Sequence, residues 1–179
     1  MKQHGPWQIL GSRDVYQDPW VRVRKDEVLR PDGQPGTFTV VLLKPGVTVI
    51  AVDDQRNTFL TEEFHYGVGR TTIEGVSGGI EIGEDPLVAA KRELREEIGI
   101  EADAWDHLGM IDPFTSQVVS PAQLYLARDL RFVTAAPEGT EVIRRIMLPL
   151  AEAVDLVMTS QITHSASCLA ILKAWHFLQ

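Results

Sequence analysis

Residues 78–100 read GGIEIGEDPLVAAKRELREEIGI, and the spacing of apolar residues changes within them. Gly78, Gly79 and Gly83 permit tight turns and close backbone approach. Leu87, Ala90, Leu94 and Ile98 then recur at helical spacing, with Pro86 in the first turn and Gly99 as the stop, which predicts one helix. On that helix Glu93 and Glu97 stack one turn apart and Glu96 sits beside them, away from the centre of the apolar stripe. Like charges at that spacing cost a helix roughly 0.2–0.5 kcal/mol per pair. A loop and helix that gather three carboxylates suit Mg²⁺, a hard cation that takes oxygen ligands and shares them with substrate phosphates. Arg92, one turn before Glu96, can orient it as an i,i+4 pair. The competing reading, a solvated Glu/Lys/Arg helix face, leaves Gly78, Glu84 and Gly99 at their distances unexplained.

Strand signals surround this segment. WVRVRKDEVLR (20–30) alternates over its first half and is followed by the turn-rich PDGQPG. TFTVVLL (37–43), VTVIAVD (47–53) and TFLTEEF (58–64) follow at short intervals and read as an antiparallel meander. Further strands are expected at HLGMI (107–111), AQLYLARDL (122–130) and EVIRRIMLPL (141–150). AEAVDLVMTS (151–160) and SASCLAILKAWHFL (165–178) read as helices, the second with Thr163 or Ser165 as its N-cap. Strands mixed with a few helices indicate an α/β sandwich.

Composition bounds the function. The 179 residues fit one domain with a sizeable core, and the formal net charge of −8 gives no reason to expect nucleic-acid binding. An anionic substrate would then need a metal or a few placed basic groups. The single cysteine, Cys168, allows no intrachain disulfide and fits a reducing cytoplasm. MKQHGPWQIL lacks the apolar core of a signal peptide. The most apolar run, FTVVLLKPGVTVIAV (38–52), is broken by Lys44, Pro45 and Gly46, so no membrane span is expected.

Gly78, Glu84, Arg92, Glu93, Leu94, Glu96, Glu97, Gly99 and Ile100 fall on the pattern G-x5-E-x7-R-E-U-x-E-E-x-G-U, with U aliphatic. The segment thus resembles the Nudix box. Seven fixed positions, each met by chance at roughly one in fifteen, make an accidental match about one in 10⁸ per starting site. The resemblance implies a Nudix-type α/β/α sandwich with a mixed β-sheet, preceded by a small N-terminal antiparallel sheet. It implies hydrolysis of a nucleoside diphosphate linked to a second moiety, with Mg²⁺ or Mn²⁺ as cofactor. By position Glu93 and Glu97 would be the main metal ligands, Glu96 would assist, and the backbone carbonyl of Ser77 would be another. Arg92 would orient a glutamate, while Gly78, Glu84 and Gly99 would be structural.

Outside the box the similarity is looser. DPWVRVRKDEVLRPDG (18–33) and EEFHYGVGRTTIEGVSGGIE (62–81) resemble the ADP-ribose pyrophosphatases and related nucleotide-sugar hydrolases of the same family. That likeness implies a homodimer, with residues 1–45 contributing to the interface and residues 46–179 forming the catalytic domain. It also implies substrate contacts from Phe64, His65, Glu74 and Phe114. Three departures stand out. His65 replaces a frequent Arg, Gly75-Val76-Ser77-Gly78 replaces Leu-Pro-Ala-Gly, and DPFTSQVVSPAQLYLA (112–127) has no Glu where many relatives carry one. The simplest expectation is that the box supplies the base as well, through Glu96 or Glu97, and that Asp112, Glu138 and Glu141 are dispensable.

Other chemistries match fewer of these residues. GVSGG (75–79) matches G-x-S-x-G, the serine nucleophile elbow, and Asp155 and His164 follow in chain order. That motif needs a helix directly after the serine, and here GGIEIGED intervenes. A ligand sensor without catalysis would be expected to have lost the box glutamates, which are present. Cys168 is expected in the core. Trp20, Phe64, Tyr66 and Phe114 could stack on a nucleobase, with core packing as the default role of each.

Overall fold

The structure is a computed structural model and describes residues 1–136, 139 and 142–179. Glu138 and Glu141 lie outside the described residues. The elements in chain order are β1 (Lys2–His4), β2 (Trp7–Gln17), β3 (Val21–Leu29), β4 (Pro35–Leu43), β5 (Gly46–Val52), β6 (Asn57–His65), β7 (Arg70–Glu74) and β8 (Val76–Gly79). There follow α1 (Pro86–Ile98), β9 (Ile100–Ile111), β10 (Val118–Val119), β11 (Ala122–Phe132), β12 (Arg144–Pro149), α2 (Leu150–Met158) and α3 (Ser165–Phe177). Two compact units result: residues 1–45 with 112–120, and residues 46–111 with 121–179.

The first unit is a five-stranded sheet in the order β1-β2-β3-β4-β10, antiparallel except for the parallel β4–β10 pair. Trp7 meets Phe38 edge to face at 5.5 Å, and Asp26 is buried beside Arg24, which donates to it through Nε and Nη2.

The second unit is a three-layer sandwich around a mixed sheet. Its path is β12-β6-β5-β11-β9, with β7 added on β6 and β8 on β5; β5 and β11 run parallel and the other pairs antiparallel. Alternation along the strands divides the core in two. Val47, Val49, Ala51, Phe59, Tyr125 and Ala127 face α1, whereas Ile50, Val52, Leu60, Leu124 and Leu126 face α2 and α3. Residues 47–52 are buried throughout, as a central strand covered on both faces must be.

That burial corrects the expected meander. β4 pairs with β3 and β10, while β5 pairs with β6, β8 and β11, so strands 37–43 and 47–53 belong to different sheets. The strand expected at 107–111 begins at Ile100 and is 12 residues long. The strand expected to start at 141 is described from Arg144, and its last expected residue, Leu150, opens α2. Helix α3 is capped by His164 without a side-chain hydrogen bond, not by Thr163 or Ser165. Thr163 Oγ1 instead accepts from Arg70 at 2.7 Å.

Candidate active site

Helix α1 forms where its sequence signals place it. Asp85 caps the start, its carboxylate accepting from the backbone N–H groups of Leu87 and Val88, and Pro86 fits the first turn, where no intrahelical donor is needed. Gly99 ends the helix in the left-handed region at φ 63°; a Cβ there would meet Val133 O at 2.4 Å, so this turn requires glycine twice over. The last carbonyls of the helix are taken from outside it. Ala136 N–H donates to Glu96 O at 2.9 Å, Val133 N–H to Gly99 O at 2.9 Å, and Arg145 Nη1 to Ile98 O at 2.8 Å. Ala89, Ala90, Leu94 and Ile98 are buried against the sheet, which leaves Arg92, Glu93, Glu96 and Glu97 half-buried along the helix side.

Arg92 gathers the box. Its Nε and Nη2 donate to the two oxygens of Glu84, each at 3.0 Å, in the fork geometry that favours arginine over lysine. Nη1 reaches Glu93 Oε1 at 2.7 Å and Glu96 Oε2 at 3.3 Å, and Nη2 also donates to the carbonyl of Gly79 at 3.0 Å. The bond to Glu84, then that to Glu93, hold the guanidinium charged, well above its ordinary range, against an opposing effect of burial. Glu84 also accepts from the N–H of Glu81 at 2.9 Å, so its carboxylate braces the loop before α1.

Glu93 sits in a cradle. A Cβ on Gly78 would lie 2.0 Å from Glu93 Cδ, so the carboxylate occupies the volume that any other residue at 78 would fill. Glu93 on α1 lies against Gly78 of β8, and the Gly79 carbonyl accepts from Arg92, so the side chains and backbone here offer oxygen atoms, the donors that Mg²⁺ or Mn²⁺ takes. Among the described residues no group of three or more His, Cys, Asp or Glu side chains is placed to hold a metal ion by itself. Mg²⁺ is normally held by one or two carboxylates together with substrate phosphates and water, so the donors present fit it.

Ser77 lies in β8 and not at a strand-to-helix elbow. Its Oγ donates to Gly75 O at 3.0 Å and lies 2.9 Å from Thr48 Oγ1. His164 is engaged with Ser167 and Glu74, so the serine-hydrolase order Ser77, Asp155, His164 builds no triad. Cys168 packs at the α2–α3 core and donates to Ile162 O; burial pushes its thiol up, the opposite of an activated nucleophile.

His65 and Glu74 come together in a separate cluster. His65 Nε2 is 3.3 Å from Glu74 Oε1, His164 Nδ1 is 3.0 Å from Glu74 Oε2, and Thr72 Oγ1 donates to Glu74 Oε1 at 2.6 Å. Thr72 and Ser167 carry no signal of this role in the sequence and His164 stood there only in the serine-hydrolase order, although Ser167 interrupts the apolar face of α3 at helical spacing from Ala170, Ile171 and Ala174. Burial pushes the Glu74 carboxyl up, but hydrogen bonds from His164 and Thr72 and the charges of His164 and His65 outweigh it, and the net shift is downward. A depressed carboxylate contributes stability that is present above its unfolded pKa and is lost as pH falls through the lower, folded value. The melting temperature is therefore expected to fall as pH drops below the ordinary carboxylate range, and Glu74→Gln is expected to flatten that part of the profile. An unchanged acid limb in Glu74→Gln would remove the cluster as its cause.

The four aromatic candidates are not core residues: Trp20, Phe64, Tyr66 and Phe114 are all exposed. Phe64 borders a cavity of about 440 Å³ with Glu62, Thr71, Val142 and Arg144. Phe114 and Asp112 belong to the first unit and the box to the second. A cavity of about 580 Å³ lies within the first unit, walled by Trp7, Ile9, Val28, Phe38 and Val40, and contains none of the box residues. No described helix is long and apolar enough to cross a membrane.

Comparison with known proteins gives the family and the fold. Residues 42–162 match the NUDIX domain, and residues 7–41 match the nucleoside diphosphate sugar hydrolase N-terminal domain. The chain is similar to an ADP-ribose pyrophosphatase of Mycobacterium tuberculosis (strain ATCC 25618 / H37Rv), 29% identical over 96% of this chain and 84% of that protein. It is 30% identical to a CMP-5'-(N-acetyl-N-hydroxy-3-aminopropyl)phosphonate hydrolase of Streptomyces rubellomurinus (strain ATCC 31215), over 93% of this chain and 81% of that one. A crystal structure of an ADP compounds hydrolase shares the fold, with a TM-score of 0.84 and 22% identity over 99% of this chain and 97% of that one.

Proposed function

The chain belongs to the NUDIX domain family and is a pyrophosphate hydrolase of nucleoside diphosphate derivatives, and from that premise we propose that its substrate is ADP-ribose or a similar nucleotide sugar and its cofactor Mg²⁺, with Mn²⁺ able to replace it. The observation that carries the metal reading is the cradle in which Glu93 fills the missing Cβ of Gly78 while Arg92 links Glu84, Glu93 and Glu96. Bound there, the cation would neutralise diphosphate charge and lower the pKa of a bound water.

The roles proposed for the side chains are those that the resemblance to the Nudix box implies. Glu93, Glu97 and the Ser77 carbonyl hold the cation, with Glu96 assisting. Arg92 keeps Glu93 and Glu96 aimed, and Glu84 anchors Arg92 in turn. Glu96 or Glu97 accepts the proton of the attacking water. Phe64, His65, Glu74 and Phe114 contact substrate. In this reading the protein is a cytoplasmic homodimer, its residues 1–45 contributing to the interface and its residues 46–179 to catalysis.

Chelation separates this reading from a serine mechanism. Hydrolysis of ADP-ribose is expected to vanish with EDTA, to return with Mg²⁺ or Mn²⁺, and to survive Ser77→Ala, which leaves the backbone carbonyl in place. Activity that resists chelation but is lost in Ser77→Ala would overturn the metal reading. A panel of ADP-ribose, GDP-mannose, UDP-glucose, NADH, a dinucleoside polyphosphate and a CMP-linked phosphonate resolves the second moiety. ADP-ribose is expected to give the highest kcat/KM, and a higher value for the phosphonate would reassign the substrate.

A further inference from the structure

Gly75 stands where the chain exchanges one strand partner for another. Residues 70–74 pair with β6 and residues 76–79 pair with β5, so Gly75 lies between the two ladders. A Cβ on it would meet Ile50 Cδ1 at 2.7 Å and Val49 O at 3.0 Å, so its backbone runs tight against β5. A backbone N–H at such depth requires an acceptor. Ser167 Oγ, on α3 and without exposed surface, accepts it at 2.9 Å. The Gly75 carbonyl accepts from Ser77 Oγ at 3.0 Å. The Ser167 hydroxyl is held in turn by His164 Nδ1 at 2.8 Å, and His164 by Glu74.

Helix α3 packs on the face of the sheet opposite α1. Through one buried hydroxyl it grips the residue three before Gly78, whose missing Cβ gives the Glu93 carboxylate its place. We propose that Ser167 is a positioning residue for the carboxylate site, fixing the entry to β8 so that Gly78 meets Glu93, with His164 orienting its hydroxyl. The proposal rests on the metal-site reading above. It gives α3 a task in catalysis although α3 supplies no group to the reaction.

Mn²⁺ binding to the intact chain, followed by electron paramagnetic resonance, tests this without relying on turnover. Ser167→Cys nearly keeps the volume but replaces the oxygen by a weak acceptor. It is expected to raise the Mn²⁺ dissociation constant by roughly 10-fold, the lower end of the range for losing a residue that orients a metal ligand. The Mg²⁺ concentration for half-maximal ADP-ribose hydrolysis is expected to rise by a similar factor. His164→Gln, which leaves Ser167 in place, is expected to shift both in the same direction by less. Leu156→Ala, which trims the α2–α3 packing, is expected to lower the melting temperature with Mn²⁺ affinity unchanged. Wild-type Mn²⁺ affinity in both Ser167→Cys and His164→Gln would overturn the positioning role alone. A wild-type protein that neither binds Mn²⁺ nor hydrolyses ADP-ribose would overturn the site reading and this proposal with it.

Discussion

Glu97→Gln is expected to lower turnover by roughly 10²–10⁴-fold, the range for removing a group that positions or deprotonates the nucleophile, while leaving the fold intact. The substitution preserves shape and removes one negative charge from a helix side that already carries Glu93 and Glu96. In the metal-free protein those charges repel, at roughly 0.2–0.5 kcal/mol per i,i+4 pair. Losing one therefore offsets part of whatever contact Glu97 gives up. For a chain of this length 1 kcal/mol corresponds to roughly 2–4 °C, so the melting temperature is expected to stay within about 2 °C of wild type. A large kinetic effect beside a small thermal one is the signature of a group kept for chemistry. Turnover equal to wild type at saturating Mg²⁺ would withdraw Glu97 from the metal site, and the carboxylates of Glu93 and Glu96 would have to serve without it.

The box was legible because each of its constraints acts locally. Asp85, Pro86 and Gly99 bound α1 by backbone chemistry that needs no tertiary contact, and the Arg92–Glu96 pair follows from the helical repeat. The α/β class was legible for a similar reason, since the period of apolar residues changes at residue 86. Sheet membership was not. Residues 37–43 and 47–53 look alike as sequence, and only the burial of 47–52 on both faces shows that the second run is a central strand in a different sheet. β2 was missed because most of it is exposed and carries little alternation. The first half of β9 includes Glu101, Ala102, Asp103 and Ala104, residues that seldom favour strands, and is held there by its long ladder with β11.

The cluster of His65, Glu74, His164 and Ser167 shows the limit most clearly. His65 and Ser167 stand 102 positions apart, and nothing local in the sequence joins any of the four to the others. The hydrogen bond from Gly75 to Ser167 spans 92 positions, and no local pattern encodes a contact of that range. A serine in line with Ala170, Ile171 and Ala174 was the one available signal, because a hydroxyl on a buried helix face must find a partner. The aromatic residues misled in the opposite direction: Trp20 and Tyr66 are apolar enough for a core and yet are 72% and 95% exposed. Apolarity alone does not place a residue inside.

Gly78→Ala is expected to remove most activity by adding one methyl group. The new Cβ would lie 2.0 Å from Glu93 Cδ and 2.1 Å from Glu93 Oε1, closer than packed atoms approach, so the carboxylate must leave its place. Gly78 is not among the positive-φ glycines and its strand conformation suits alanine, so the backbone has no reason to object. The cost falls on the Glu93 carboxylate and on its 2.7 Å bond from Arg92. A displacement of about 1 Å at a reacting centre can cost 10²-fold in rate, and a loss of at least that size is expected here, with weaker Mn²⁺ binding and little change in melting temperature. Gly83→Ala provides the opposite case in the loop between β8 and α1. Its Cβ would enter open space, but its φ of 81° strains any L-residue, so stability is expected to fall by about 1 kcal/mol with kcat nearly unchanged. Full activity in Gly78→Ala would mean that Glu93 works from another position, and the cradle would lose its role in the chemistry.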